Sequence, residues 1–140
     1  MGVMAVITPP YAESLRLPAT LAAPGLARRR VVLACDGLDE DARSTAELLT
    51  SELVANAVLH PNGGAGRAPE IGLHIRRTDQ LLRVEVHDHD PTPPLPPNSP
   101  ASLRDSGMGL HLVNELSSAW GHEPMPNQQG KAVWFELRLG

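Results

Sequence analysis

The chain has 140 residues, 41% of them hydrophobic, and a net charge of −4, which suits one domain with one core and gives no long-range attraction for nucleic acid or anionic lipid. Four aromatic residues (Tyr11, Trp120, Trp134, Phe135) are too few for base-stacking platforms, and a single cysteine, Cys35, excludes an intrachain disulfide. No signal peptide, lipidation motif or membrane-length apolar run is present, so a cytoplasmic protein is expected. Residues 1–12 read as a flexible leader and residues 13–140 as the domain. Ser14 to Leu17 is a candidate edge strand stopped by Pro18, and Pro24 to Cys35 a helix with proline in its first turn. Gly37 breaks that pattern.

Asp39 to His60 is the strongest helical segment. Asp39 is its predicted N-cap, and Ala42, Ala46, Leu49, Leu53 and Ala57 recur at three- and four-residue intervals. Pro61 and a glycine-rich loop end it. Ile71, Leu73 and Ile75, then Leu82, Val84 and Val86, alternate with polar residues as an antiparallel hairpin would. Residues 90–106 hold six prolines and read as an irregular lid. Gly109 to Trp120 is predicted as a further amphipathic helix, residues 121–130 as a loop, and Val133, Phe135, Leu137 and Leu139 as alternating positions of a last strand. The order implies a two-layer α/β (α+β) sandwich, with a mixed, mostly antiparallel sheet packed on about three helices.

The chemistry gathers in three places. Glu52 and Asn56 share a helix face that borders the apolar stripe. Their oxygens suit Mg²⁺ shared with phosphates, or Glu52 serves as a general base; an ordinary solvated pair is the alternative. His60 extends the face as a cation near the helix C-terminus. Asp88 shares the parity of Leu82, Val84 and Val86 and so points to the buried face, where a carboxylate needs a partner. The exocyclic amine of adenine would serve; a turn-capping role before Pro91 is the alternative. His74, His87 and His89 lack the spacing of a zinc cluster and are expected as surface histidines. Gly107 and Gly109 open a helix after the lid, where backbone N–H groups can approach phosphates. Neither a Walker A loop nor the full Rossmann glycine pattern occurs.

Taken together these segments resemble the histidine-kinase-type ATPase fold (the Bergerat type shared with gyrase). Within it the chain is most similar to small anti-sigma-factor serine/threonine kinases of the RsbW type. Glu52-Leu53-Val54-Ala55-Asn56-Ala57-Val58-Leu59-His60 matches the N box, Val84-Glu85-Val86-His87-Asp88 with Pro91 the first glycine-box strand, and Ser106-Gly107-Met108-Gly109-Leu110 the second glycine box. Lys131-Ala132-Val133-Trp134-Phe135-Glu136-Leu137 resembles the closing strand. The resemblance implies ATP and Mg²⁺ as cofactors, with Asn56 on Mg²⁺, Glu52 as catalytic base and Asp88 on adenine. It also implies nucleotide binding by Gly107, Met108, Gly109, Leu110 and Lys131. The implied partners are a sigma factor and a small antagonist protein, with a possible homodimer through Leu15, Leu17 and the first helix, and neither nucleic acid nor membrane.

Three positions depart from the family pattern. Asp90 stands where glycine is usual, Asp105 where some family kinases carry arginine, and Ala132 where threonine is common near adenine. These departures motivate an alternative: a non-catalytic ATP-binding or pure protein-interaction module of the same fold. A sensor histidine kinase fragment would need an upstream dimerisation hairpin, and residues 1–23 are too short for one.

Overall fold

The computed structural model describes residues 9–59, 70–90, 93–94, 109–126 and 129–140. The elements are β1 (Tyr11–Pro18), α1 (Ala23–Ala34), α2 (Glu40–Leu59), β2 (Glu70–Arg77), β3 (Leu81–Asp88), α3 (Gly109–Leu116), β4 (Ala119–Pro124) and β5 (Lys131–Arg138). The sheet order is β1-β2-β3-β5-β4, and all its pairings are antiparallel rather than mixed. β1 begins at Tyr11, inside the stretch read as leader, and runs to Pro18 on one edge.

The helices form as their end signals dictate. Proline occupies the first turn of α1, where its missing N–H is no loss. Gly37 takes a φ of +82° as the chain leaves that helix, a conformation that side chains disfavour. The Asp39 carboxylate accepts the Ala42 N–H at 2.7 Å and caps α2, with Glu40 and Asp41 in the favourable first turn. Arg77 of β2 reaches back to donate to the Ala34 carbonyl at 2.9 Å and to the Asp36 carbonyl, placing a cation at the C-terminus of α1.

The three helices among the described residues cover one face of the sheet. Its alternation fills the space between the layers: Leu73, Val86 and Val133 line up across β2, β3 and β5, as do Ile75, Val84 and Phe135. From the helical side come Val31, Leu49, Leu53, Val54, Leu110 and Val113, all nearly inaccessible. Each such side chain contributes about 1.5–3 kcal/mol relative to exposure. Cys35 lies in this core, and burial pushes its thiol up to about 11, so it is an inert structural cysteine.

The other face of the sheet is polar. Arg83 pairs with Glu85 at 3.0 Å and Glu136 at 2.8 Å and lies 4.1 Å over the Trp134 ring. His87 contacts Glu85 at 3.0 Å, and the His74 and His87 rings sit 4.0 Å apart. Burial, then its neighbour His87, holds His74 below the usual histidine range. Among the described residues no group of three or more His, Cys, Asp or Glu could hold a metal ion.

Candidate nucleotide site

Strand parity carries Asp88 to the helical face at the last position of β3, where it is 7% exposed. Its partner there is Lys131, directly opposite at the first position of β5. The Lys131 ammonium lies 3.2 Å from Oδ1 and 3.1 Å from Oδ2 of Asp88, and donates to the Asp90 carbonyl at 3.0 Å. Asp88 Oδ1 also accepts the Asp90 N–H at 2.9 Å. Burial raises the Asp88 carboxyl above its ordinary value, outweighing the pull of Lys131 in the opposite direction. The partner that a buried carboxylate requires is therefore supplied from within the chain.

Gly130 makes this close approach of β3 and β5 feasible. Its φ is +142°, and a Cβ there would lie 1.9 Å from the Asp88 carbonyl oxygen. Ala132, expected beside the base, lies opposite His87, one step out of parity with Asp88. The position facing Asp88 is Lys131, so the missing threonine hydroxyl at Ala132 bears less on Asp88 than its sequence position suggests. The signal for Lys131 was available: it shares the parity of Val133, Phe135 and Leu137.

Glu52 and Asn56 lie on consecutive turns of α2, both partly exposed, beside the buried Leu53, Val54 and Ala57. α2 packs on β3, β5 and α3, so the helix that carries both residues borders the layer interface that receives Asp88. Desolvation raises the Glu52 carboxyl above its ordinary value, the direction wanted in a general base working near neutral pH. No all-protein metal cage exists among the described residues. A carboxamide and a carboxylate one turn apart fit Mg²⁺ that takes its remaining ligands from water and phosphates.

Gly109 opens α3, as expected, and Leu110 anchors that turn at 2% exposure. Gly107, Met108, His60 and nearly all of the lid lie outside the described residues. Beyond Leu116 the expectation of a helix to Trp120 is wrong. The helix stops there, Ser117 donates its hydroxyl to the Val113 carbonyl at 2.6 Å, and Ala119–Pro124 forms β4 in place of the expected loop. Trp120 pairs across from Phe135 and donates Nε1–H to Asn114 at 2.9 Å. A surface concavity of about 330 Å³ bounded by Leu21, Pro24, Leu26 and Arg28 shares no residue with this site.

A family model described as a histidine kinase-like ATPase domain matches residues 17–136. The chain belongs to this family. The match takes in Glu52, Asn56, Asp88, Lys131 and the whole sheet except most of β1 and the end of β5. The five-stranded sheet with the three described helices on one face agrees with that fold, and membership makes ATP the expected ligand of the site. A search of curated proteins gives no match. Among the described residues no helix is long and apolar enough to cross a membrane.

Proposed function

We propose that this histidine kinase-like domain is an ATP-dependent serine/threonine protein kinase of the anti-sigma-factor type. It phosphorylates a small antagonist protein and thereby controls a sigma factor by partner switching. The observation that carries this reading is Glu52: a partly exposed carboxyl raised by desolvation, one turn from Asn56, on the helix that packs against the strand bearing Asp88. Phosphoryl transfer depends mainly on positioning and charge neutralisation, so few protein groups are needed.

In this scheme Asp88 binds the base, and Asn56 holds Mg²⁺ through its carboxamide oxygen. Bound Mg²⁺ neutralises charge on the phosphates. Glu52 takes the proton of the partner's serine or threonine hydroxyl as that oxygen accepts the γ-phosphoryl group, with ADP as the leaving group. The raised Glu52 carboxyl is a stronger base once ionised, and it sits one turn before Asn56 on the same helix.

The experiment is capture of partners from the native cell lysate, followed by incubation with γ-labelled ATP and Mg²⁺. Label on a serine or threonine of a small partner, lost with Glu52→Ala, supports the kinase. Partner capture and ATP binding without label favour the second reading, a non-catalytic ATP-binding regulatory module. That reading draws support from Lys131, which already engages both oxygens of Asp88, and from the extra carboxylate at Asp90.

A further inference from the structure

Lys131 is the only lysine of a chain that carries eleven arginines, and the register of β5 on β3 delivers it to the carboxylate assigned to the base. An ammonium carries three protons and accepts no hydrogen bond. This one faces three oxygens: Asp88 Oδ1 at 3.2 Å, Asp88 Oδ2 at 3.1 Å and the Asp90 carbonyl at 3.0 Å. Nζ is almost equidistant from the two carboxylate oxygens, so it lies across the carboxylate, where an incoming donor would meet both. The Asp90 N–H takes a further place on Oδ1 at 2.9 Å. Asp88 is 7% and Lys131 5% exposed, so in this arrangement the acceptor capacity left on Oδ2 is closed to a base edge.

The exchange that adenine has to make at this point is unfavourable by itself. The ammonium brings a full positive charge to a desolvated carboxylate, and the neutral amine of adenine brings none. The other contacts of the nucleotide have to offset that difference. Apparent affinity then falls short of the intrinsic affinity by the fraction of chains in which Asp88 is free. The bare Cα of Gly130, which lets β5 start hard against the Asp88 carbonyl, keeps the two partners together.

We infer that Lys131 is an autoinhibitory cap on the base subsite, competing with the nucleotide for Asp88. The inference rests on Asp88 being the base-binding carboxylate of the proposed function. It gives Lys131 the opposite sign to a nucleotide ligand, since removing it strengthens binding. It holds whether the domain transfers phosphate or only binds nucleotide.

The test is calorimetric titration of the full chain and of Lys131→Met, checked for native circular dichroism, with ATP and with inorganic triphosphate, each with Mg²⁺. Lys131→Met should bind ATP at least about tenfold more tightly than the wild-type chain. Inorganic triphosphate, which has no base, should gain nothing. A second measurement needs no variant. Lys131 is the one side-chain amine, so reductive methylation with formaldehyde and cyanoborohydride, read by mass spectrometry, reports its release. Methylation of Lys131 should be slow without ATP and severalfold faster at saturating ATP. ATP binding that Lys131→Met leaves unchanged or weakens overturns the inference and leaves the nucleotide site standing. An equal gain for inorganic triphosphate, or a Lys131 equally protected with ATP bound, overturns it too. Binding of ATP to neither chain refutes the nucleotide site itself, and the inference with it.

Discussion

Replacing Lys131 by methionine keeps most of the apolar stem of the side chain and removes its ammonium, with the charge and the hydrogen bonds to Asp88 and the Asp90 carbonyl. Asp88 then remains almost inaccessible, with the Asp90 N–H as its one remaining partner among those described. Breaking a buried ion pair on one side costs about 3–5 kcal/mol, because the surviving charge stays desolvated. A domain of this size has roughly 5–15 kcal/mol in total, so the loss is severe and lowers Tm by about 10–20 °C. The penalty depends on pH in a definite direction. Burial already raises the Asp88 carboxyl above its ordinary 3.8, and losing Lys131 raises it further. A carboxyl raised in the folded state favours folding below its unfolded value, and that advantage disappears as pH rises through the folded value. The destabilisation is therefore full at about pH 7 and shrinks toward about pH 4, where the neutral acid forms. Urea unfolding of both chains at the two pH values measures it. A loss under about 1 kcal/mol at neutral pH, or one equal at both pH values, refutes the claim that the pair is buried and mutually dependent.

Gly130→Ala should destabilise by about 3 kcal/mol in the same assay, because its Cβ would lie 1.9 Å from the Asp88 carbonyl and φ is +142°. Thr50→Val should be stabilising by about 1 kcal/mol: the hydroxyl is wholly buried with no hydrogen-bond partner among the described residues, and the isosteric methyl removes that cost. A destabilised Thr50→Val would mean that the hydroxyl has a partner. For a chain that transfers phosphate, Glu52→Gln should retain nucleotide binding and lose roughly 10²–10⁴ in transfer rate. The wild-type rate should climb with pH through the Glu52 pKa, which desolvation places above 4.5; the same acid limb in Glu52→Gln would remove Glu52 from the base role.

Much of this protein was legible in the order of its residues, because helix and strand periodicity are properties of near neighbours. The apolar spacing after Asp39 specified α2 and set Glu52 and Asn56 on one partly exposed face. Alternation through Leu82, Val84 and Val86 determined that Asp88 would be buried, and burial of a carboxylate demanded a partner. Tertiary structure alone decided which partner that is. Lys131 stands 43 positions away, and only the register of β3 against β5 sets the two side chains in contact. β4 was hidden for a related reason. Its six residues show no buried alternation, and they form a strand because β5 offers them backbone hydrogen bonds along its free edge. Local pattern selects an element and its buried face, whereas pairing across the sheet selects the neighbours. The chemistry at Asp88 depends on both.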